Sequence, residues 1–175
     1  MRTLKAVALA LAVVAGVLGV AGPAQARQVV VSDQAGDTTE PGLDITSATF
    51  RNRDRAIVAT LTFVRDRPGA VIVGVRARKG PSVGIVSRHH RHGADEVFAF
   101  SRRSGGAACS RVTSDWSRAR ATVTLRLPAR CLNKGNYGAV RFFALTEEAK
   151  GGADVDYAPQ QPGGDDARTP WVPRG

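Results

Sequence analysis

The sequence predicts an all-β protein, a single antiparallel β-sandwich of jelly-roll-like form with about nine short strands and one disulfide. From Gln28 onward, apolar residues alternate with polar ones at a period of two, which is the pattern of half-buried strands. Clusters of Gly, Pro, Asn and Asp interrupt these runs, and no run has the period of an amphipathic helix. The lack of an internal repeat argues against a propeller or solenoid, and a closed barrel is the alternative architecture.

The chain begins with a segment typical of a secretory signal peptide, which we assign to residues 1–26. Arg2 and Lys5 form a positive start, an uncharged apolar run follows, and residues 24–26 have the small-x-small form of a cleavage site. The apolar run is shorter than the roughly 20 residues of a membrane-spanning helix. We therefore expect cleavage before Arg27, a secreted, extracellular product and no membrane anchor after cleavage.

The rest of the chain is long enough for one domain with a substantial apolar core. We place a β-sandwich domain at residues 27–150 and a tail rich in Gly, Pro and Asp at residues 151–175. The tail is either disordered or held against the sandwich by the ring of Trp171.

The period-two pattern places the strands in order along the chain. Alternation is most regular from Arg120 to Leu127, so one face of that strand is apolar and the other polar. Between Ala56 and Val64 both faces are apolar, as in a central strand, and pairing with the preceding strand requires a bulge near Thr46. The predicted strands are Gln28–Ser32, Ile45–Arg51, Ala56–Val64, Val71–Ala77, Val83–Ser87, Glu96–Ser101, Cys109–Trp116, Arg120–Leu127 and Tyr137–Thr146.

Cys109 and Cys131 are the only cysteines, and both lie in the part of the chain that we expect to be exported. Oxidising conditions outside the cytoplasm let such a pair persist as a disulfide. Closing this loop stabilises the fold by about 3 kcal/mol in the chain-entropy model. A redox pair or a metal site is the alternative, but neither a C-x-x-C spacing nor a cluster of further ligands is present.

The most unusual motif is the run Asp33-Gln34-Ala35-Gly36-Asp37, followed by Asp44-Ile45 at the start of a strand. It resembles the beginning of exported sandwich modules of the DOMON-like and family 9 carbohydrate-binding type, over about Val31 to Phe63. In those modules an Asp-x-x-Gly-Asp loop leads to Asp-Ile and then a strand. The resemblance implies a sandwich fold and leaves open whether the ligand is a sugar, haem or none.

The carboxylates of this motif also suggest a metal site, with Asp33, Asp37 and Asp44 as calcium ligands. Calcium takes about six to eight oxygen ligands, and a glycine lets the loop turn sharply between carboxylates. The spacing is not that of an EF-hand loop. Turn chemistry at an exposed loop explains the same residues without a metal. Because the termini of a sandwich often lie close together, further ligands are available near the other end of the chain: Asp154, Asp156, Asp165 and Asp166.

No residue is assigned a catalytic role. The histidines all lie in the run from Arg88 to Gly93, where neighbouring arginines disfavour a bound cation and a polar loop is the simpler interpretation. The sequence contains no Gly-x-Ser-x-Gly elbow and no spare cysteine to act as a nucleophile. Its adjacent carboxylate pairs would point to opposite faces of a strand rather than across a substrate.

Three residues are candidates for ligand binding outside the aspartate motif. Trp116 lies beside a predicted hairpin turn, where it either packs over the disulfide or forms an exposed platform for a ligand. Arg76 and Arg78 recur at a period of two and therefore share one sheet face. The net charge of +10 favours polyanions, whereas a merely solvated basic surface is the alternative.

Taken together, these features predict a secreted, non-catalytic binding module, with cell-wall or extracellular glycan as the expected class of ligand. One alternative is a structural sandwich that binds another exported protein and no small ligand. A small metal-dependent hydrolase is the second alternative. We expect a monomer with no cofactor beyond a structural calcium ion. Its partner is expected to be a cell-wall polymer or an exported protein, not intracellular nucleic acid.

Overall fold

The structure is a computed structural model that describes residues 28–101, 105–149, 153–160 and 167–175. The predicted signal peptide and its cleavage site lie outside these residues, as do Asp165 and Asp166 and the side chain of Asp154.

Strands that alternate inward and outward side chains form two antiparallel sheets, so the predicted all-β sandwich is confirmed. The five-stranded sheet has the order β1-β2-β3-β9-β8, and the six-stranded sheet has the order β11-β10-β4-β5-β6-β7. In chain order the strands are β1 Gln28–Ser32, β2 Ile45–Asn52, β3 Ala56–Phe63, β4 Gly69–Ala77, β5 Val83–His89, β6 Glu96–Ser101, β7 Ala107–Cys109, β8 Thr113–Ser117, β9 Thr122–Pro128, β10 Val140–Glu147 and β11 Asp154–Ala158. The described helical segments are short 3₁₀ turns at Arg118–Arg120, Ala129–Cys131 and Asn133–Gly135.

The apolar core lies between the two sheets, where the inward-facing apolar side chains of their strands pack together. In β9, Val123, Leu125 and Leu127 are fully buried, as their alternation predicts. The rings of Phe50 and Phe142, from different sheets, stack with their centres 4.8 Å apart. The pairing of β2 with β3 shifts register between Ile45 and Ser47, which confirms the predicted bulge near Thr46.

Two differences from the predicted strand set concern the later part of the chain. The predicted strand Cys109–Trp116 is two strands, because the chain crosses at residues 110–112 from β7 in one sheet to β8 in the other. The second difference is β11, which pairs with β10 although it lies in the predicted tail. Beyond it, Val172 forms an antiparallel bridge to Val140.

The two ends of the sandwich differ in chemistry. We call one the aspartate end, formed by the connections at residues 33–44, 64–68, 90–95 and 118–121. At the other, the disulfide end, Cys109 and Cys131 form the predicted disulfide with their Cα atoms 5.5 Å apart.

Candidate metal centre and adjoining cleft

Aspartates from separate parts of the chain meet at the aspartate end. Asp33 follows β1, Asp37 and Asp44 lie in the connection before β2, and Asp156 lies within β11. Carboxylate oxygens of Asp37, Asp44 and Asp156 all lie within 4.8 Å of one another. The structure therefore brings together two of the three predicted calcium ligands and adds Asp156, one of the residues predicted to contribute from the far end of the chain.

Backbone N–H groups hold two of these carboxylates in place. The N–H of Gly36 donates to Asp44 Oδ2 at 2.9 Å, and Gly36 adopts a left-handed φ of 85° that suits glycine. Asp156 is almost completely buried and accepts from the N–H of Ile45 at 2.6 Å and from its neighbour Tyr157 at 2.7 Å. The loop and β11 are also joined directly, because the N–H of Thr39 donates to the carbonyl of Val155 at 2.9 Å.

Several carboxylate oxygens in the cluster are buried without any partner. Among the described residues, both oxygens of Asp37, Oδ2 of Asp33 and Oδ1 of Asp44 are inaccessible to solvent and accept no hydrogen bond. A buried, ionised carboxylate without a partner is strongly unfavourable. These oxygens therefore need either a proton or a cation to offset the cost of their burial.

The electrostatics of the metal-free cluster agree with its geometry. Burial raises the pKa of Asp156 to about 7, despite the hydrogen bond from Ile45, which lowers it. The pKa of Asp33 is raised to about 6, first by burial and then by the negative charge of Asp37. Both pKa shifts reflect carboxylates that are buried from solvent and close to one another.

The donor set of this cluster fits a hard cation. Every side chain in it offers carboxylate oxygen, and no cysteine or histidine belongs to the described cluster. Calcium prefers such oxygen ligands, whereas zinc prefers sulfur and imidazole nitrogen. Asp37, Asp44 and Asp156 would hold the ion, with Asp33 beside them.

A buried histidine, His89, lies at the same end of the sandwich, at the end of β5. His89 Nε2 is 3.1 Å from Asp66 Oδ1, and His89 Nδ1 is 2.8 Å from Asp95 Oδ1. Sequence reasoning placed His89 in a polar loop because charged residues and further histidines follow it. The alternation of Val83, Ile85 and Ser87 extends to His89 and was the signal that it points inward.

Trp116 packs against this histidine and does not cover the disulfide. Its half-buried ring stacks with His89 at 4.5 Å and with Phe63 at 5.8 Å between centres. Its indole N–H donates to Ser87 Oγ at 2.9 Å. The disulfide lies at the opposite end of the sandwich, because β9 runs from beside Trp116 toward Cys131.

The structure does not bring the other two predicted ligand residues to Trp116. Arg76 lies near the end of β4, at the disulfide end and in the other sheet. Arg78 follows β4, and its guanidinium lies 5.1 Å from the ring centre of Trp171, which Arg141 also approaches at 4.5 Å. Trp171 thus contacts the sandwich through two arginines.

A cleft of about 760 Å³ lies beside the loop that carries Asp37 and Asp44. Pro41 and Gly42, from the same loop as Asp37 and Asp44, form part of its wall. Sequence reasoning did not assign this cleft, since its charged residues come from connections far apart in the chain. The charged and ionisable residues that line it are Arg65, Asp66, Arg67, His89, Arg91 and Arg118.

Comparison with known protein families, curated proteins and solved structures finds no match to this chain. Within the part of the chain that the structure describes, no helix is both long and apolar enough to span a membrane.

Proposed function

We propose that this protein is an exported, non-catalytic binding module in which a calcium ion ties the aspartate loop, residues 33–44 between β1 and β2, to β11. In this view, the cleft beside the ion is where an extracellular polymer binds. The signal-peptide pattern and the disulfide support export. The resemblance of the segment from Val31 to Phe63 to exported binding modules agrees with the same class of function.

The observation that carries the calcium proposal is the set of buried carboxylate oxygens without partners. Asp37 contributes both of its oxygens, and Asp44 contributes one. Turn chemistry explains the hydrogen bond from Gly36 to Asp44, but it leaves the oxygens of Asp37 unexplained. A divalent cation accounts for them, because it bonds to several carboxylate oxygens at once and offsets their repulsion.

The ion's role in this proposal is positional. Asp37 and Asp44 belong to the loop between β1 and β2, whereas Asp156 belongs to the edge strand of the other sheet. A shared cation would fix the loop against that strand, and with it Pro41 and Gly42 in the wall of the cleft. Loss of the ion should loosen the cleft without unfolding the core.

Thermal unfolding of the mature, secreted protein with added calcium chloride and with chelator tests this proposal. A ligand that binds only the native state raises the midpoint, and a hundredfold excess over Kd adds about 2.7 kcal/mol. We expect Asp37→Asn to abolish the calcium-dependent shift. Asp115→Asn is the matched control, because Asp115 lies exposed on β8, far from the loop in sequence. A wild-type unfolding midpoint that does not change in millimolar calcium would contradict the proposal.

A further inference from the structure

We propose that the cleft beside the aspartate loop binds a tetrahedral oxyanion, phosphate or sulfate, carried on an extracellular polymer. This inference rests on the proposed binding function and names the chemistry of its ligand.

Four arginines meet at this cleft from three connections between strands. Arg65 and Arg67 lie in the connection from β3 to β4, Arg91 in the connection from β5 to β6, and Arg118 in the 3₁₀ turn before β9. Asp66 is the single carboxylate lining the cleft among the described residues. The cleft is therefore strongly positive, which attracts and concentrates anions.

The arginines are available to a ligand. Within the described chain, none of the four guanidinium groups forms an ion pair, and only Arg118 has a hydrogen bond, to the carbonyl of His90 at 3.1 Å. Asp66 and Asp95, two carboxylates at this end of the sandwich, both contact His89.

The excess of arginine favours a ligand with more charge than one carboxylate. A guanidinium group presents a planar fork of N–H donors that matches phosphate and sulfate oxygens in pairs. The cleft volume of about 760 Å³ is far larger than a single oxyanion requires. The ligand is therefore expected to be a polymer segment that carries the anion.

The proposed calcium site and the anion cleft are electrostatically coupled. Asp44 lines a second, smaller cleft together with Arg65 and Arg67, so the metal-free aspartates lie close to the arginines. Their negative charge opposes anion binding, and a bound cation would cancel much of it. Calcium should therefore strengthen binding of the anion, and by linkage the anion should strengthen binding of calcium.

The disulfide end supplies a matched control. A cleft of about 460 Å³ there is also lined by arginines, including Arg53 and Arg55, which are exposed. Removing two charges at either end changes the net charge equally. If the anion binds in the cleft, only removal of arginines at the aspartate end should weaken binding.

The test is calorimetric titration of the metal-free, secreted protein with polyphosphate, with dextran sulfate and with uncharged dextran, at fixed salt and without calcium, because polyphosphate itself binds calcium. We expect binding to at least one anionic polymer and none to dextran. The double variant R65Q/R91Q should weaken binding by at least about tenfold, since each guanidinium group contributes charge-assisted hydrogen bonds to the oxyanion. Equal weakening by R53Q/R55Q, or no binding of either polyanion by the wild type, would overturn the inference. The polymer bound more tightly identifies phosphate or sulfate as the source.

Separate titrations of the wild type with calcium and with polyanion distinguish the anion cleft from the calcium site. If calcium fails to bind the wild type but the polyanion still binds through Arg65 and Arg91, the calcium proposal fails and the anion cleft stands. If calcium binds and the polyanion does not, the anion cleft is wrong and the calcium site stands.

Discussion

Asp37 is the residue on which the proposed calcium site depends most, because both of its carboxylate oxygens are buried and accept no hydrogen bond from the described residues. Each of the other aspartates in the cluster has at least one carboxylate oxygen that is not both buried and without a partner. Asp156, for example, accepts from two N–H groups. The carboxylate of Asp37 thus forms no hydrogen bond with the described residues of the metal-free fold, and a bound cation best explains its position.

His89 gives a prediction at the same scale that does not involve the metal. His89→Phe removes the contacts of the ring with Asp66 and Asp95 while keeping an aromatic ring against Trp116. We expect a loss of about 1 to 3 kcal/mol in the free energy of unfolding, since hydrogen bonds to charged groups are lost. Urea denaturation measures this change. The control His92→Phe, at an exposed position, should change stability by less than about 0.5 kcal/mol. Equal effects of the two substitutions would refute the structural role of His89.

At the scale of strands, a pair of glycines shapes the outer face of the six-stranded sheet. Gly74 in β4 pairs directly with Gly84 in β5. The ring of Phe143 lies over Gly74, and the ring of Phe100 lies over Gly84. An aromatic ring from a neighbouring strand thus takes the place of each missing side chain.

Gly74→Ala should destabilise the protein for this reason. The added Cβ collides with the ring of Phe143, and overpacking of this kind costs about 1 to 3 kcal/mol. The double variant Gly74→Ala, Phe143→Leu should lose less stability than the two single losses added together, because the smaller side chain relieves the collision. Strict additivity in urea denaturation would show that the collision does not control stability.

The disulfide joins β7 to the turn after β9, so its removal should lower the free energy of unfolding. Replacing both cysteines, Cys109→Ser and Cys131→Ser, opens a loop with a sequence separation of 22 residues. In the chain-entropy model we expect a loss of about 3 kcal/mol. Denaturation of the variant against the oxidised wild type measures it. Because the disulfide lies at the opposite end from the aspartates, calcium affinity should stay unchanged, and a large loss of affinity would contradict the separation of the two ends.

Local patterns predicted much of this fold, but not the way its distant parts meet. Alternation located β2, β3 and β9, because the buried face of each strand gives a period-two apolar pattern in the sequence. The division of Cys109–Trp116 into β7 and β8 was missed, since a change of sheet leaves period-two alternation intact. Asp33, Asp37 and Asp44 are neighbours in sequence and were found together. The arginine cleft was missed because it joins three separate connections.

For the whole molecule, the aspartate cluster predicts an unusual dependence of stability on pH in the absence of metal. The pKa values of Asp33 and Asp156 are raised in the fold to about 6 and about 7, from an ordinary value of 3.8. Between about pH 4 and pH 7, the folded protein therefore holds more protons than the unfolded chain, and the free energy of unfolding falls as pH rises.

Calcium should reverse this trend, because bound carboxylates must be ionised and metal binding releases their protons. Urea denaturation at about pH 5 and about pH 7.5, each with chelator and with calcium, measures both effects. We expect the metal-free protein to be less stable at the higher pH and calcium to stabilise it most there. A metal-free protein that gains stability across this range would show that the carboxylates are not crowded as described.

Calorimetric titration of calcium into the metal-free protein near neutral pH most directly tests the proposal that the buried aspartates form a calcium site. A calcium site at these aspartates predicts saturable binding of one ion per chain in the wild type and in Asp115→Asn, and no measurable binding in Asp37→Asn. A wild-type titration without binding heat at more than one temperature, or an Asp37→Asn variant that binds calcium as tightly as the wild type, would contradict it.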